Sequence, residues 1–224
     1  MTQPRTHKQA KINFLSINAR GLNQPEKRSQ ALRHFHSQKS HIVFIQETHF
    51  KEGQTPRLTD RYYAQCFLSN NPERKSKGTA ILIHKYLHFA PTAVLRYDHG
   101  RYVCVKGAIA NRTYTLANLY APYNRQHHFI RKVVKAIEKF AEGCLILGGD
   151  LNVALRPTLD TSARSLTIPQ HVLTSITKTL TDQRLAPRPG QITPCHDDID
   201  FTTVQTYMPQ LETEQIPSQW PTGD

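Results

Sequence analysis

The chain has 224 residues, of which 38% are hydrophobic and 21% are charged, and this balance excludes wholesale disorder. The formal net charge of +12 favours a polyanionic partner, such as nucleic acid or an anionic membrane surface, but charge by itself names none. Four cysteines without CxxC spacing argue against a zinc site, and a polar, basic start without a long apolar run predicts neither a signal peptide nor a membrane span.

Hydrophobic periodicity divides the chain into a flexible basic lead-in, residues 1–10, and one domain over residues 11–224. A first strand, Lys11–Asn18, is followed by a short helix over Pro25–Gln38 and a second strand, His41–Glu47. The pattern then stays extended through five further runs: Arg61–Ser69, Gly78–His84, Tyr86–Arg96, Arg101–Ile109 and Thr113–Leu119.

The second half contains the most amphipathic helix of the chain, Phe129–Phe140, and then a buried strand that begins at Cys144 and is ended by Gly148 and Gly149. A further helix is predicted over His171–Leu185 and a strand over Ile199–Val204, among crowded prolines that begin at about residue 186. Strands with intermittent helices predict a layered α/β domain with mixed or antiparallel sheets.

Polar side chains stand at the ends of four predicted strands. If these strands are neighbours that run the same way, two carboxylates, two amides and a phenol meet at one edge: Asn18, Glu47, Tyr120, Asp150 and Asn152. An oxygen-rich set without thiolates suits a hard divalent ion such as magnesium, and such a site hydrolyses phosphate esters. Taken singly, each of these residues also fits a turn or a cap.

Each of these side chains has a predicted role in that chemistry. Glu47 would hold the metal, and Asp150 would orient or deprotonate the attacking water. Asn18 and Asn152 would hold phosphate oxygens or fix the two carboxylates.

Four short motifs share their order and spacing with one known group of enzymes. Ser16–Gly21, Ile45–His49, Asn118–Pro122 and Gly148–Asn152 resemble the motifs of the endonuclease/exonuclease/phosphatase superfamily. The chain is most similar to its branch of endonuclease domains from LINE-type (non-LTR) retrotransposons, a likeness strengthened by Lys75–Leu82 and Thr158–Ser162. Each motif is weak alone, and the combination is specific.

The resemblance implies a four-layered α/β sandwich of two packed mixed sheets flanked by helices. It implies nicking of one strand of double-stranded DNA with Mg²⁺, or Mn²⁺ in its place, to prime reverse transcription. A nuclear, monomeric protein with a fused or associated reverse transcriptase follows from the same likeness. By motif match, Asn18 is a phosphate or metal-site ligand and Glu47 the metal ligand, Tyr120 contacts the scissile phosphate, and Asp150 and Asn152 position the water.

The C-terminal part departs from the family pattern. Asp200 matches the aspartate of an Arg-Ile-Asp-Tyr-like motif, and Asp224 matches the aspartate of a Ser-Asp-His motif whose histidine does not follow. An aromatic-rich strand before Asp200 also has no counterpart, so the C-terminal strands are predicted to be incomplete. A chain cut short, a decayed copy and a rebuilt C-terminus all explain this. Loss of the histidine predicts nicking weaker by ~10²–10³.

Cations near the motifs are candidates for contacts with DNA phosphates. Arg20 and Arg125 stand beside motif residues and are the stronger candidates. For the cations farther away a solvated face is the simpler interpretation, although Lys75 and Lys77 are kept as DNA-binding candidates; these cations are Arg74, Lys75, Lys77, Arg101 and Arg131. His49 is interpreted as support for Glu47, with a plain loop role as the alternative.

Two other functions remain open at this stage. The chain could be a catalytically dead relative that only binds DNA, or a phosphoesterase of another branch that acts on phosphoinositides, sphingomyelin or poly(A). The basic composition and the LINE-like flanking motifs count against a lipid substrate.

Overall fold

The computed structural model describes residues 12–97 and 99–152 and the backbone of residues 202–207. Nine strands, two α-helices and one short 3₁₀ helix, Lys85–Leu87, follow one another in this part of the chain. They are β1 (Asn13–Asn18), α1 (Pro25–Ser37), β2 (Ile42–Gln46), β3 (Tyr63–Ser69), β4 (Thr79–His84), β5 (Ala90–Arg96), β6 (Tyr102–Ile109), β7 (Arg112–Tyr120), α2 (Gln126–Phe140), β8 (Cys144–Asp150) and β9 (Thr202–Tyr207).

The strands form two mixed sheets. One has five strands in the order β3-β4-β2-β1-β9, and the other has four in the order β5-β6-β7-β8. The pairs β1–β2, β1–β9 and β7–β8 are parallel, whereas the remaining pairs are antiparallel. Parallel pairing brings the C-terminal ends of β1 and β2 to one edge, and those of β7 and β8 likewise.

Three hydrophobic layers hold four layers of backbone together, which confirms the predicted four-layered sandwich. Between the sheets, Phe44 and Ile81 of the first sheet pack with Val105 and Leu116 of the second. Helix α1 covers the outer face of the first sheet, and α2 that of the second, through two further clusters. The first includes Ala31, Phe35, Leu15, Ile45 and Leu82, and the second includes Val133, Ile137, Cys104, Ala117 and Leu119.

The predicted starts of β5 and α2 are wrong. The run from Tyr86 to Arg96 is not one strand, because Lys85–Leu87 forms a 3₁₀ turn and β5 begins only at Ala90. Helix α2 begins at Gln126 rather than Phe129, because the left-handed Arg125, with φ of 56°, marks its start. Helix α1 and strands β1, β2 and β7 agree with the predicted ranges to within one or two residues.

The two glycines before Asp150 do not end their strand as predicted. Strand β8 continues through them, with Gly148 opposite Asn118 and Gly149 opposite Leu119. A Cβ on Gly148 would lie 2.6 Å from the Phe44 ring, and one on Gly149 would lie 2.0 Å from the Leu119 carbonyl oxygen. The glycines therefore permit close packing beneath the site, and at φ of 131° Gly149 is also in a conformation that other residues rarely adopt.

We expect Gly149→Ala to lower the free energy of unfolding by about 2 kcal/mol more than Gly53→Ala does, because β7 and β8 would have to separate. Gly53 is the matched control: its φ of 72° is also positive, but a Cβ there would meet nothing within 4 Å. Urea unfolding of both variants measures the difference. Equal losses would show that conformational strain, and not close packing, is why position 149 needs glycine.

Several predicted features lie outside the described residues. They include the predicted helix His171–Leu185 and the candidate site residues Asp200 and Asp224. Strand β9 begins at Thr202, whereas the sequence predicted a strand over Ile199–Val204, and it pairs with the outer side of β1 in parallel. Cys104 is a buried free thiol, and Cys144 is also buried. No helix in the described ranges is both long and apolar enough to cross a bilayer.

Candidate active site

Four of the predicted polar residues meet at one edge of the sandwich. Asn18 is the last residue of β1, and Glu47 directly follows β2. Tyr120 and Asp150 are the last residues of β7 and β8, where they stand opposite each other in the parallel ladder. Each sheet therefore contributes two of these side chains.

Asn18 joins the two carboxylates across the sheets. Its Nδ2 donates to Glu47 Oε1 at 2.9 Å and to Asp150 Oδ2 at 3.0 Å. Its Oδ1 accepts a hydrogen bond from the backbone N–H of Arg20 at 3.1 Å, which fixes the orientation of the amide. The geometry supports the role of holding the carboxylates, whereas the metal-ligand role of Asn18 stays a prediction.

Glu47 is held as a carboxylate. His49 Nε2 lies 3.3 Å from its Oε2, and Tyr120 donates its hydroxyl to Oε1 at 2.8 Å. The hydrogen bond from His49, together with those from Asn18 and Tyr120, outweighs the partial burial and lowers the pKa of Glu47 to about 2. His49 thus contacts Glu47 as interpreted from the sequence.

The Tyr120 hydroxyl is a proton donor and not a phenolate. Burial raises the pKa of this side chain well above the usual value for tyrosine, and the hydrogen bond to Glu47 raises it further. A buried phenol beside a carboxylate retains its proton and can donate it only as a hydrogen bond. The predicted phosphate contact of Tyr120 would therefore compete with its bond to Glu47.

Asn152 lies at the site but directs its side chain elsewhere. Its backbone N–H donates to Asp150 Oδ1 at 2.9 Å, whereas its Nδ2 donates to the Ala121 carbonyl at 2.6 Å. Asp150 thus receives one donor on each carboxylate oxygen, and each oxygen keeps lone-pair capacity for water. The water-positioning role predicted for Asn152 stays a prediction.

The predicted DNA-binding cations surround this cluster. Arg20 directly follows Ala19 after β1 and is exposed, and Arg125 is exposed at the start of α2. Lys75 is exposed in the basic turn before β4. The backbone of Lys77 accepts a hydrogen bond from His49 N–H at 2.7 Å, so the base of this turn lies against the loop that follows Glu47.

Arg101 is a site cation that the sequence interpretation placed on a solvated face. Its guanidinium carbon lies 4.9 Å from the centre of the Tyr120 ring, and its Nη1 donates to the Tyr120 carbonyl at 3.4 Å. Burial, with Arg101 and Arg74 nearby, lowers the pKa of Lys77, which shows that these cations crowd together. The signal for this crowding in the sequence is Gly100. Its carbonyl accepts a hydrogen bond from Gly78 N–H, which holds the loop before β6 against the turn before β4.

Unusual backbone conformations concentrate at this edge. Nine non-glycine residues of the described chain have positive φ angles. Six of them lie in the loops around the site: Arg20, Glu47, His49, Lys77, Arg125 and Asn152. Such conformations cost free energy and persist where surrounding contacts enforce them, as in functional sites.

The donor set fits a hydrated magnesium ion. Among the described residues no three histidine, cysteine or acidic side chains form a group that could hold a metal. Magnesium is usually bound through one or two carboxylates, with waters and substrate phosphate completing its shell. Glu47, ionised and partly exposed, and Asp150 supply such a pair.

The family model of the Endonuclease/Exonuclease/phosphatase family matches residues 13–200. The chain belongs to this family. Nucleases of the Endonuclease/Exonuclease/phosphatase family generally depend on a divalent metal, in agreement with the carboxylate pair. The family assignment covers strands β1 to β8 of the sandwich and all five candidate residues from Asn18 to Asn152.

Solved structures support the same fold. An AP endonuclease from Archaeoglobus fulgidus has a TM-score of 0.60 and 18% identity over 75% of this chain and 69% of that one. The Xenopus laevis APE2 catalytic domain has a TM-score of 0.57 and 17% identity, over 73% of this chain and 66% of that one. AP endonuclease LMAP from Leishmania major has a TM-score of 0.57 and 18% identity, over 75% and 65%. This member of the family thus spans slightly less than two thirds of the last two structures.

Proposed function

We propose that this chain is a magnesium-dependent endonuclease that nicks one strand of duplex DNA. The observation that carries the proposal is the bridge from Asn18 to the carboxylates of Glu47 and Asp150, with Tyr120 on the same glutamate oxygen. Family membership supports a phosphodiesterase, and the similar structures include enzymes named as AP endonucleases. DNA as the substrate also agrees with the net charge of +12.

The residues divide the work of hydrolysis between the two sheets. Glu47, from the first sheet, would hold the metal, which when bound supplies charge neutralisation for the phosphate. Asp150, from the second sheet, accepts a proton from the attacking water, and Asn18 fixes the distance between the two carboxylates. Because Asn18 donates to both, it also reduces the repulsion between their charges.

The cations beside the site form a surface that can bind DNA. Arg101 lies beside Tyr120, and Lys77 lies against the loop after Glu47, with Arg74 close to Lys77. Guanidinium and ammonium groups at loop positions contact the phosphates of the backbone and set the register of the duplex without reading its sequence. We expect duplex affinity to fall steeply with salt.

The test is relaxation of a supercoiled plasmid by an excess of the protein, with Mg²⁺ or Mn²⁺ and with EDTA. We expect slow conversion to the nicked circle with either metal, no conversion with EDTA, and loss of conversion in Glu47→Gln. Binding of the same plasmid without any metal-dependent nicking would contradict the nuclease proposal and favour the DNA-binding relative without catalysis. Hydrolysis of a phosphoinositide, sphingomyelin or poly(A) in preference to the plasmid would place the chain in another branch.

Arg101→Ala is expected to weaken duplex binding by about tenfold. It should also reduce the salt slope, which is the slope of the logarithm of affinity against the logarithm of salt concentration, by about 1, as for the loss of one phosphate contact. Arg101→Lys should restore the slope but only part of the affinity. Lysine keeps the positive charge but lacks the planar guanidinium that lies over the Tyr120 ring. The matched control is Arg33→Ala, an exposed arginine of α1. Equal affinities for Arg101→Ala and Arg33→Ala, measured by fluorescence anisotropy, would remove Arg101 from the binding surface.

The finer parts of the proposal follow from the resemblance to LINE-type endonuclease domains. On this proposal the nick primes reverse transcription, the protein acts in the nucleus as a monomer, and a fused or associated reverse transcriptase uses the new 3′ hydroxyl. A primer-extension assay with a reverse transcriptase tests the end that the nick leaves. Extension without prior phosphatase treatment is expected, and a blocked 3′ end would contradict the priming role.

A further inference from the structure

We propose that the end of the first sheet opposite the active-site edge binds an unpaired nucleic-acid strand. The proposal concerns a surface that we name the stacking patch, formed by His36, Arg61, Tyr62, Lys85 and Tyr86. Its residues come from the end of α1, the loop before β3 and the 3₁₀ turn after β4.

The stacking patch is separate from the candidate active site. Strand β2 runs from Ile42 at the patch end to Gln46, which precedes Glu47, and antiparallel β4 runs back to His84. The five residues of β2 thus separate the two surfaces by roughly 17 Å. Tyr62 is tied to the patch end because its carbonyl accepts a hydrogen bond from Lys85 N–H at 2.8 Å.

Three rings at the patch are nearly parallel, and the exposed Tyr86 ring is tilted beside them. The centres of the His36 and Tyr62 rings lie 3.6 Å apart, with an interplanar angle of 13°. The ring of buried His84 is nearly parallel to both, at 7° to His36 and 18° to Tyr62. The Tyr86 ring centre stands 5.0 Å from that of His84, at an interplanar angle of 51°, and Tyr86 is 69% exposed. An exposed aromatic ring beside a fixed stack is a platform on which a base can be placed.

Cations accompany these rings. The guanidinium carbon of Arg61 lies 4.7 Å from the centre of the Tyr62 ring, and Lys85 Nζ lies 5.1 Å from that of Tyr86. Both cations are exposed. The acidic group beside them, Asp60, directs Oδ1 to the backbone N–H groups of Tyr62 and Tyr63. The patch therefore carries net positive charge next to the exposed ring of Tyr86.

This combination selects an unpaired strand over a duplex. Base faces are accessible to an aromatic ring only when the bases are unpaired, and the phosphates of the same strand need cations within one nucleotide of the ring. A duplex would use the cations and leave Tyr86 without a partner. The two requirements coincide at Tyr86 and Lys85.

The test is the binding of a fluorescent twelve-residue oligothymidylate to the whole protein in EDTA, followed by anisotropy. Tyr86→Leu is expected to weaken binding about tenfold, whereas Tyr86→Trp keeps or improves it, because leucine retains apolar area and loses the ring face. Arg61→Gln/Lys85→Gln should lower the salt slope by about 1.4, as for two phosphate contacts of a single strand. The matched control, Lys135→Gln/Lys139→Gln, removes the same charge from exposed positions of α2.

Three results would overturn the proposal. One is equal affinity for the oligothymidylate in Tyr86→Leu and the unchanged protein. Another is a loss of affinity in the α2 double variant equal to that in the patch double variant, which would show only a response to net charge. The third is loss of binding on Lys77→Gln with full binding in the patch variants, which would place the strand at the active-site edge.

Discussion

Replacing Asp150 by asparagine is expected to slow metal-dependent nicking by about 10²–10⁴-fold, the usual contribution of a general base. The amide keeps the size of the side chain, and its oxygen can still accept from Asn152 N–H, now 2.9 Å from Asp150 Oδ1. It loses the charge and the capacity to take a proton from water. The measurement is the single-turnover rate on supercoiled plasmid, with the thermal unfolding midpoint as a check on the fold.

Glu138→Gln is the matched control for Asp150→Asn. Glu138 is exposed on α2, so its substitution makes the same change of charge on a surface outside the site. We expect the unchanged protein and Glu138→Gln to nick at the same rate. A rate for Asp150→Asn within threefold of either would show that Asp150 does not act on the water, whatever happens to the other variants.

The convergence of the site residues was predictable because it follows from strand direction. Side chains that end parallel neighbours lie at one edge, which places Asn18 with Glu47 in the first sheet and Tyr120 with Asp150 in the second. The packing of the two sheets then brings the two pairs together. Alternation within each strand then decided which side chains enter the space between the sheets. Local pattern and topology agreed, so four residues separated by up to 132 positions could be grouped before any coordinates were known.

The features that were missed depend on contacts between segments that are distant in the chain, and sequence patterns do not report these contacts. Arg101 resembles any exposed loop cation until the pairing of β6 with β7 places it beside Tyr120, whose N–H donates to the Arg101 carbonyl at 2.8 Å. The two glycines of β8 resemble a turn until β7 and Phe44 are placed beside them. Asn152 was grouped with Asp150 by spacing, but the carbonyl of Ala121 determines where its amide points.

The stacking patch shows a further limit of sequence interpretation. Its residues are spread over positions 36–86 and share no periodicity, because they come from three separate places: the end of α1, the loop before β3 and the 3₁₀ turn after β4. What brings them together is the antiparallel return of β4 to the N-terminal end of β2. A motif search finds chemistry within one short segment of the chain, whereas this surface joins three segments that only the fold brings together.

Asn118 joins the two sheets through its side-chain amide. It is fully buried, and its Nδ2 donates to the carbonyls of Ile45 and Ala80, both at 2.8 Å. Its Oδ1 accepts from Gln46 Nε2 at 2.7 Å. One amide of the second sheet thus fixes the end of β2 directly before Glu47.

We expect Asn118→Leu to lower the free energy of unfolding by about 3–5 kcal/mol, because a side chain of similar volume leaves two carbonyls and one amide without this partner. Urea unfolding measures the loss, and exposed Asn124→Ala is the control for a loss of asparagine that touches neither sheet. Nicking should fall even at temperatures where Asn118→Leu remains folded, since Glu47 then loses its fixed position relative to Asp150. Wild-type nicking in a folded Asn118→Leu would show that Asn18 alone sets the distance between the two carboxylates.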